Sequence, residues 1–568
     1  MNKKMIILGI SGRGHDAASA IIVDGKIIAA CEEERFCRIK HAPKHMPIKS
    51  AKECMKIANK KPENIDFVTY YFNPERYNKD IIPYILKNHK QFLKNPKKNN
   101  LIGVLSRGRK HKKYAEETVA KLSINKNKLK FVDHHLAHMG CSYLLSNFNE
   151  SMILSIDNMG ELSSTVLAVG KGEEIKIIKE QNAPHSLGVL YATATDYLGF
   201  KPFSEEGKVM GLASYGKPII PVKKIVDIKN GNFLIKEPFL CNEINSKKYF
   251  SKGLEKKYGK PRDPKKEITE FHKNFAASIQ NAVEQVTIEL VKWIHKKTGL
   301  KNICIGGGVA LNCSLNGKIE NLNFIQEVHI FSASGDNGTS LGSAVYFYVK
   351  RMGKRPTFKN QAGLGSFFSK KEIETELKNK GYKYKLCKNI PYEAAKILLD
   401  EKVLCWYQGR AEFGPRSLGH RSILALPNSV KLKNHINKNI KIREMWRPLC
   451  PSILNTKTYK YSKNKNSAKH NYMIVTSKAT NYAKKRIPGV IHIDGTIRIQ
   501  SVTKSECLKY YNLLLEIEKK TGDGVVLNTS FNYKGEPMVN SPKDALNTFE
   551  IMPINTLIIG DFIVQKNL

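Results

Sequence analysis

The sequence predicts an α/β protein in two parts, a duplicated nucleotide-binding core followed by a second, smaller α/β unit. Three observations predict it. The first third of the chain contains a strand–loop–strand plan that occurs twice. Two further segments run strand, glycine turn, helix. Near residues 351–370 the composition shifts, and helix and strand signals then alternate again.

In chain order, MIILGISGRGHDAASAIIVDGKIIAACEEE reads as strand, glycine turn, strand, Asp-Gly hairpin and strand. SMILSIDNMGELSSTVLAVGKGEEIKIIKE repeats that plan, with a Gly-Lys-Gly turn before its third strand. Loops of this kind hold phosphates with amides and hydroxyls while an aspartate positions a metal. The long helical pattern FAASIQNAVEQVTIELVKWIHKKTG leads into KNICIGGGVALNCSLNGKI, where Gly307, Gly308 and Asn312 are candidates to meet a nucleotide. VHIFSASGDNGTSLGSAVYFYV has the same order. RMGKRPTFKNQAGLGSFFSKKE mixes Pro, Gly and charge without periodicity and reads as a linker. KEIETELKNKGYKYKLC then opens the second unit, and the stretch from GVVLNTSFN to the end closes it with a helix and a buried strand.

A chain of 568 residues with 41% hydrophobic residues can bury more than one core. No run approaches the roughly 20 apolar residues of a membrane span, and the first strand is too short and glycine-broken for a signal peptide. Eleven cysteines stand singly, with no CxxC, which suggests a reduced cytoplasmic protein. The 94 Lys+Arg against 51 Asp+Glu leave a formal charge of +43. The excess is spread over separate runs at 96–113, 245–267 and 457–470, without a nucleic-acid-binding motif. Solvated faces explain it best, and an anionic substrate is the sharper alternative.

Two constellations carry chemistry. His134 and His138 in FVDHHLAHMGCSYLL lie one helical turn apart and project from one face. With Asp157 in LSIDNMGE and Asp336 in SASGDNGTSLG they form a donor set for iron, manganese or zinc. His135, between them, shows that histidine here also serves the helix itself. In the second unit, QGRAEFGPRSLGHRSIL supplies Arg410, Arg416 and Arg421. Lys441, Arg443 and Arg447 follow in KNIKIREMWRPLCPSI, and Arg498 in HIDGTIRIQSV. Guanidinium forks grip carboxylate or phosphate oxygens in pairs, and Asn528, Thr529 and Ser530 in LNTSFN add neutral donors. Structural ion pairs would account for one or two of these arginines. So many cations with so few acids point to a polyanion pocket.

The same motifs carry a resemblance. GHDAASAIIVDGKIIAACEEERFCRIKH, DHHLAH, SIDNMGE, PHSLGVLYATATDYLGF, EEGKVMGLASYG, GGGVALN, SGDNGTSLG, GPRSLGHRSILA, KIREMWRP, HIDGTIRIQ and LNTSFNYKGEPMV run nearly end to end. In them the chain resembles the NodU/CmcH-type O-carbamoyltransferases, the family that includes the tobramycin and cephamycin carbamoyltransferases. The resemblance implies an actin-like (ASKHA) duplicated ATPase-type domain over residues 1–355, similar to the tRNA threonylcarbamoyl-transfer fold. A linker over 356–372 and a YrdC-like domain over 373–568, which would form carbamoyl-adenylate, complete the implied organisation.

Carried over by motif, His134, His138, Asp157 and Asp336 would bind a divalent metal, with Fe2+ favoured and Mn2+ or Zn2+ open. Arg416, Lys441, Arg447, Arg498, Asn528 and Ser530 would form the carbamoyl-phosphate and ATP site, Mg2+ accompanying ATP. His15 and Lys40 would lie near the adenylate and the acceptor. The implied activity is two half-reactions: carbamoyl phosphate and ATP give carbamoyl-adenylate, and a hydroxyl of a sugar-containing or natural-product acceptor then takes the carbamoyl group, with His15 as base. The adenylate would pass between the sites away from water. Segments 72–130 and 217–270, outside the shared motifs, are where acceptor contacts are expected. A homodimer stays open, a membrane span is not expected and nucleic acid is not favoured as a partner. Two rival readings are weaker. A tRNA threonylcarbamoyl-type enzyme would lack GPRSLGHRS and HIDGTIRIQ, and a non-catalytic module binding an anionic polymer would need neither constellation.

Overall fold

A computed structural model of the chain describes residues 4–87, 101–241, 249–357, 363–400 and 402–566. The chain divides into two compact units. The first comprises residues 1–27 and 46–357, and the second 28–45 and 358–568. Parts of the expected linker (358–362) and of the two expected acceptor segments (88–100 and 242–248) lie outside the described residues.

In the first unit, β1 (Ile6–Ser11) and β2 (Ala18–Val23) pair antiparallel, with Ile6 opposite Val23. Asp24 and Gly25, at φ 50° and 77°, make the left-handed two-residue turn that matches strand twist, as the Asp-Gly pair predicts. β3 (Lys26–Glu32) then leads the chain out of this unit. β4 (Phe67–Tyr70) lies parallel to β1, and β5 (Leu129–Phe131) parallel to β4. The sheet order is β3-β2-β1-β4-β5.

The second sheet repeats that topology. β6 (Glu150–Ile156), β7 (Ser163–Lys171) and β8 (Glu174–Asn182) form an antiparallel meander. After a small hairpin, β9 (Val226–Lys229) and β10 (Asn232–Ile235), come β11 (Asn302–Gly306) and β12 (Glu327–Ile330). β11 lies parallel to β6 and β12 parallel to β11. The order β8-β7-β6-β11-β12 therefore matches the first sheet strand for strand, and the echo read in the sequence is a duplication of topology.

Five helices of this unit bear on its functional residues: α1 (Pro74–Lys87), α2 (Arg107–Lys121), α3 (His134–Ser142), α4 (Glu270–Thr298) and α5 (Thr339–Met352). α4 is the long helix expected from periodicity, closed by Gly299 at φ 70°. α3 and α5 cross in backbone contact. A Cβ on Gly140 would stand 2.2 Å from the carbonyl oxygen of Gly342, and one on Gly342 would stand 1.8 Å from that of Ala137. Only glycine permits that approach.

The second unit holds an eight-stranded mixed sheet. Its strands include β13 (Tyr384–Leu386), β14 (Leu404–Tyr407), β15 (Arg421–Ala425) and β16 (Cys450–Leu454). A two-stranded ribbon, β17 (Ser477–Lys478) and β18 (Thr496–Ile497), precedes β19 (Gln500–Val502) and β20 (Val525–Ser530). β21 (Thr556–Ile559) and β22 (Phe562–Gln565) end the chain, and the large sheet runs β13-β22-β21-β14-β15-β20-β16-β19. Helix α6 (Leu508–Thr521) packs Leu513, Leu514 and Ile517 on one face, against Leu404 and Trp406. Helix α7 (Pro542–Ile551) packs Leu546 and Phe549 on the other, with Cys405 and Tyr407. Alternate residues of β14 thus face opposite cores, as strand geometry requires.

Residues 28–45 depart from the expected boundary, which placed them in the first domain. Arg38 donates to the carbonyls of Met538 (2.6 Å) and Pro537 (3.0 Å), and buried Arg35 to that of Gly414 (2.9 Å). Hydrogen bonds between residues so distant in sequence leave no local signal. Among the described residues no helix is long and apolar enough to cross a membrane.

Candidate functional site: a metal-binding cluster and a cation cluster

In the first unit the expected quartet comes together. His134 opens α3 and His138 follows one turn later, so their Nε2 atoms stand 3.0 Å apart. Asp157, just beyond β6, places Oδ2 2.8 Å from His134 Nε2 and 3.2 Å from His138 Nε2. Asp336, at the turn that starts α5, brings Oδ1 to 3.5 Å of His138 Nε2 and 3.7 Å of His134 Nε2. One donor atom from each lies within 4.8 Å of all the others.

Three of these atoms form a triangle with edges of 2.8, 3.0 and 3.2 Å. Metal–ligand bonds of about 2.1 Å set at right angles give edges of about 3 Å. Among the described residues Asp336 Oδ1 is buried with no hydrogen-bond donor, which a cation would correct. Two imidazoles and two carboxylates suit a divalent metal of borderline softness. The residues therefore fit the ion that the sequence pattern implies. Burial works against charge on His138, yet Asp157 and Asp336 hold its pKa up at about 9. Burial would likewise raise Asp157, but the two histidines hold it well below the usual carboxylate range.

His135 faces the other way. Its Nε2–H donates to the carbonyl of Ser163 and its Nδ1 accepts from Ser155, both at 2.8 Å. Burial pushes it down to about 3, so it is a neutral core histidine. Gly307, at φ 88°, passes so near β6 that a Cβ would stand 2.1 Å from the carbonyl of Ile156. Gly308 then donates its N–H to Asp157 Oδ1 at 3.2 Å. Asn312 is spent on structure: it caps the following helix through the N–H of Leu315 (3.1 Å) and exchanges two hydrogen bonds with Gln280 (2.9 and 3.1 Å).

A cavity of about 460 Å³ opens from this cluster, with His134, Asp157 and Asp336 in its wall and His15 beside them. His15 Nδ1 is 2.9 Å from Asp16 Oδ2. Although burial opposes it, Asp16, with Asp336 and Asp157 behind, raises the His15 pKa to about 10. The loop is strained, with Gly12 at φ 116° and Arg13 at φ 119°. Tyr70 and Tyr71 hold it by donating to the carbonyl of Gly12 at 3.1 and 2.9 Å. Arg13, Arg107, Lys110 and His111 also line the cavity. Sequence reasoning singles out none of the four. The signal that could have found them is the spacing of Arg107, Lys110 and His111 at i, i+3 and i+4, which puts them on one face of α2.

The second unit gathers the expected cations. Buried Lys441 donates to the carbonyls of Ser530 and Asn532, both at 2.8 Å, and to Asn532 Oδ1 at 2.6 Å. Burial, with the positive charges of Arg443, Lys40 and Arg447, pushes its pKa well down. Burial likewise lowers Arg443 to about 9, with Arg447 and Arg498 contributing. Among the described residues Arg443 Nη2 is buried without a hydrogen-bond partner. Lys40, expected near the adenylate and the acceptor, adds its charge to these cations.

Other expectations change role. Arg421 is fully buried. It stacks on Tyr407 at 3.6 Å and donates to the carbonyls of Gln408 (2.9 Å), Gly409 (3.2 Å) and His420 (3.1 Å). Arg410 is spent on the carbonyls of Gly365 (3.0 Å), Leu364 and Ile28 (2.9 Å). Both are structural. Buried Asn528 accepts from Ser417 (3.0 Å) and donates to Ser417 O, Ser452 Oγ and Gln500 Oε1, each at 3.1 Å, so it positions the loop that carries Arg416. Sequence reasoning misses Glu412. Its Oε1 accepts from the N–H groups of Leu418, His420 and Arg421 at 2.8–3.0 Å and staples that same loop.

Comparison with known proteins places the chain in a family. The family described as Carbamoyltransferase N-terminus matches residues 6–345, and Carbamoyltransferase C-terminus matches residues 395–566. The chain belongs to the carbamoyltransferase family. It is 32% identical to nodulation protein NolNO of Sinorhizobium fredii, over 97% of this chain and 79% of that protein. It is also 32% identical to an uncharacterized protein of Synechocystis sp., over 99% of this chain and 96% of the relative. Among solved structures, full-length HypF in its phosphate- and nucleotide-bound form shares 14% identity, covering 62% of this chain and 47% of that one. Its TM-score of 0.34 carries no argument. Membership makes this chain an enzyme; the quartet lies in the first matched region, and Lys441, Arg443, Arg447 and Arg498 lie in the second.

Proposed function

We propose that this enzyme is an O-carbamoyltransferase that divides its reaction between the two units. The second unit, read as YrdC-like, forms carbamoyl-adenylate. Carbamoyl phosphate first loses phosphate to water and leaves carbamate. A carbamate oxygen then attacks the α-phosphorus of ATP, and the bond to pyrophosphate breaks. Arg416, Lys441, Arg447 and Arg498, with Arg443, balance charge on the triphosphate and the departing groups. Lys441 is held at low pKa by its burial and its cationic neighbours until an anion arrives.

The first unit, read as actin-like from its duplicated sheets, carries out transfer. His134, His138, Asp157 and Asp336 would hold a divalent cation, with Fe2+ favoured over Mn2+ and Zn2+, and a bound cation there would supply Lewis acidity toward the adenylate phosphate. Asp16 fixes the His15 ring through Nδ1. A cation at the quartet would take up the charge of Asp157 and Asp336 that helps keep His15 protonated; with Nδ1–H still on Asp16, the neutral ring would then accept the hydroxyl proton at Nε2. The acceptor oxygen then bonds to the carbamoyl carbon as the bond to AMP breaks. Sugar-containing molecules and natural products with a free hydroxyl are the acceptor class.

The observation that carries this reading is the clustered quartet, three of whose members, His134, Asp157 and Asp336, stand in the wall of a cavity large enough for a small ligand. The test is nucleotide accounting. With ATP, carbamoyl phosphate and Mg2+, the protein should yield AMP and pyrophosphate, and ADP as the sole nucleotide product would refute the adenylate route.

A further inference from the structure

Besides the quartet residues, the cavity wall carries three cations, Arg13, Arg107 and Lys110. Arg107 donates through Nη2 to the carbonyl of Gly160 at 3.0 Å, with that of Met159 at 3.5 Å. Its guanidinium lies over the rings of Phe72 and Tyr77, 5.4 and 5.7 Å from their centroids. Arg13 donates to His111 Nε2 at 3.4 Å. The Tyr70 hydroxyl spends its proton on Gly12, so His111 must donate Nδ1–H to the Tyr70 oxygen at 2.8 Å and use Nε2 as acceptor. His111 is thus a neutral ring, stacked on Phe72 at 3.8 Å, that aims Arg13. Among the described residues Arg13, Arg107 and Lys110 form no ion pair.

The charges of the lining then have a simple balance. His15 is paired with Asp16. A divalent cation in the quartet would offset Asp157 and Asp336. Three cations are left facing a half-closed, aromatic space. A guanidinium removed from bulk water without a carboxylate is costly, and an anionic ligand that accepts paired hydrogen bonds relieves that cost. A cationic ligand is excluded by the same field.

We propose that the acceptor carries a negative charge, a carboxylate or a phosphate, and that Arg13 and Arg107, with Lys110 at the rim, select it. This rests on the first unit being the transfer site. It narrows the acceptor to an acidic saccharide or a sugar phosphate, whose ring faces the aromatic wall while a hydroxyl reaches the quartet.

The test is equilibrium binding to the full chain with Mn2+, using glucuronate, glucose 6-phosphate, glucose and glucosamine as probes. At least one of the two anionic sugars should bind about tenfold or more tightly than glucose, the scale of one charge-assisted hydrogen bond, with glucosamine weakest. Which anionic sugar binds tells carboxylate from phosphate. Arg107→Gln should abolish the preference, whereas Arg107→Lys, which retains the charge, should preserve most of it. Equal binding of glucose and both anions overturns the inference. So does an Arg107→Gln chain whose affinity for AMP falls while its sugar preference persists, since that assigns the cations to the nucleotide. A preserved preference for anionic sugars without any carbamoyl transfer would count against the proposed reaction instead.

Discussion

Gly342 meets the carbonyl oxygen of Ala137 so closely that a Cβ there would lie 1.8 Å from it. Ala137 immediately precedes His138, and Gly342 lies six residues beyond Asp336. The crossing of α3 and α5 therefore sets the spacing of two of the four cluster residues. Gly342→Ala should destabilise the fold by about 1–3 kcal/mol and weaken metal binding in whatever protein folds. Thermal denaturation and metal analysis would check both effects, and a variant with unchanged Tm and metal content would contradict this role.

Removing the histidines should separate metal binding from folding. His138→Ala should lose stoichiometric metal by elemental analysis. Wild-type chain should gain Tm on addition of Mn2+ or Fe2+, by about 2.7 kcal/mol of stability at a hundred times the dissociation constant. Neither His138→Ala nor Asp336→Asn should show that gain.

Arginines of one loop should behave in opposite ways. Arg421→Ala removes a buried stack and several carbonyl contacts and should cost about 3 kcal/mol or more, visible as a lowered Tm. Arg416→Ala should leave Tm within a degree or two and abolish pyrophosphate release. Equal loss of stability in both would mean that Arg416 is structural too.

A pH effect on stability is expected from Glu506, which accepts from Asn471 at 3.1 Å. Burial pushes its carboxyl from 4.5 up to about 7. The folded chain thus binds the proton more tightly than the unfolded chain does. The stability this contributes is full below about 4.5 and is lost as pH rises through about 7. Glu506→Gln should remove that slope, raising Tm at pH 8 by about 2–4 °C per kcal/mol recovered, with little change at pH 4.

Much of this was legible in the sequence because its causes are local. The strand–loop–strand echo follows from side-chain alternation and turn residues, and the His134–His138 pair from helical period. What escaped depends on contacts distant in sequence. Asn312 and Asn528 look like free donors until Gln280, Ser417 and Gln500 fold against them. Arg410 and Arg421 look like anion ligands until backbone carbonyls surround them. Residues 28–45 join the second unit through Arg35 and Arg38, whose acceptors lie hundreds of positions away. Arg107, Lys110 and His111 sit in a basic run that reads as solvated, although their spacing already places them on one helical face.

The division of labour between the units has one direct test. Pyrophosphate release from ATP and carbamoyl phosphate, without acceptor, should be compared in His138→Ala and Arg447→Ala. His138→Ala should retain release but transfer no carbamoyl group when acceptor is added, whereas Arg447→Ala should release none. Equal loss of pyrophosphate release in the two variants would contradict this division.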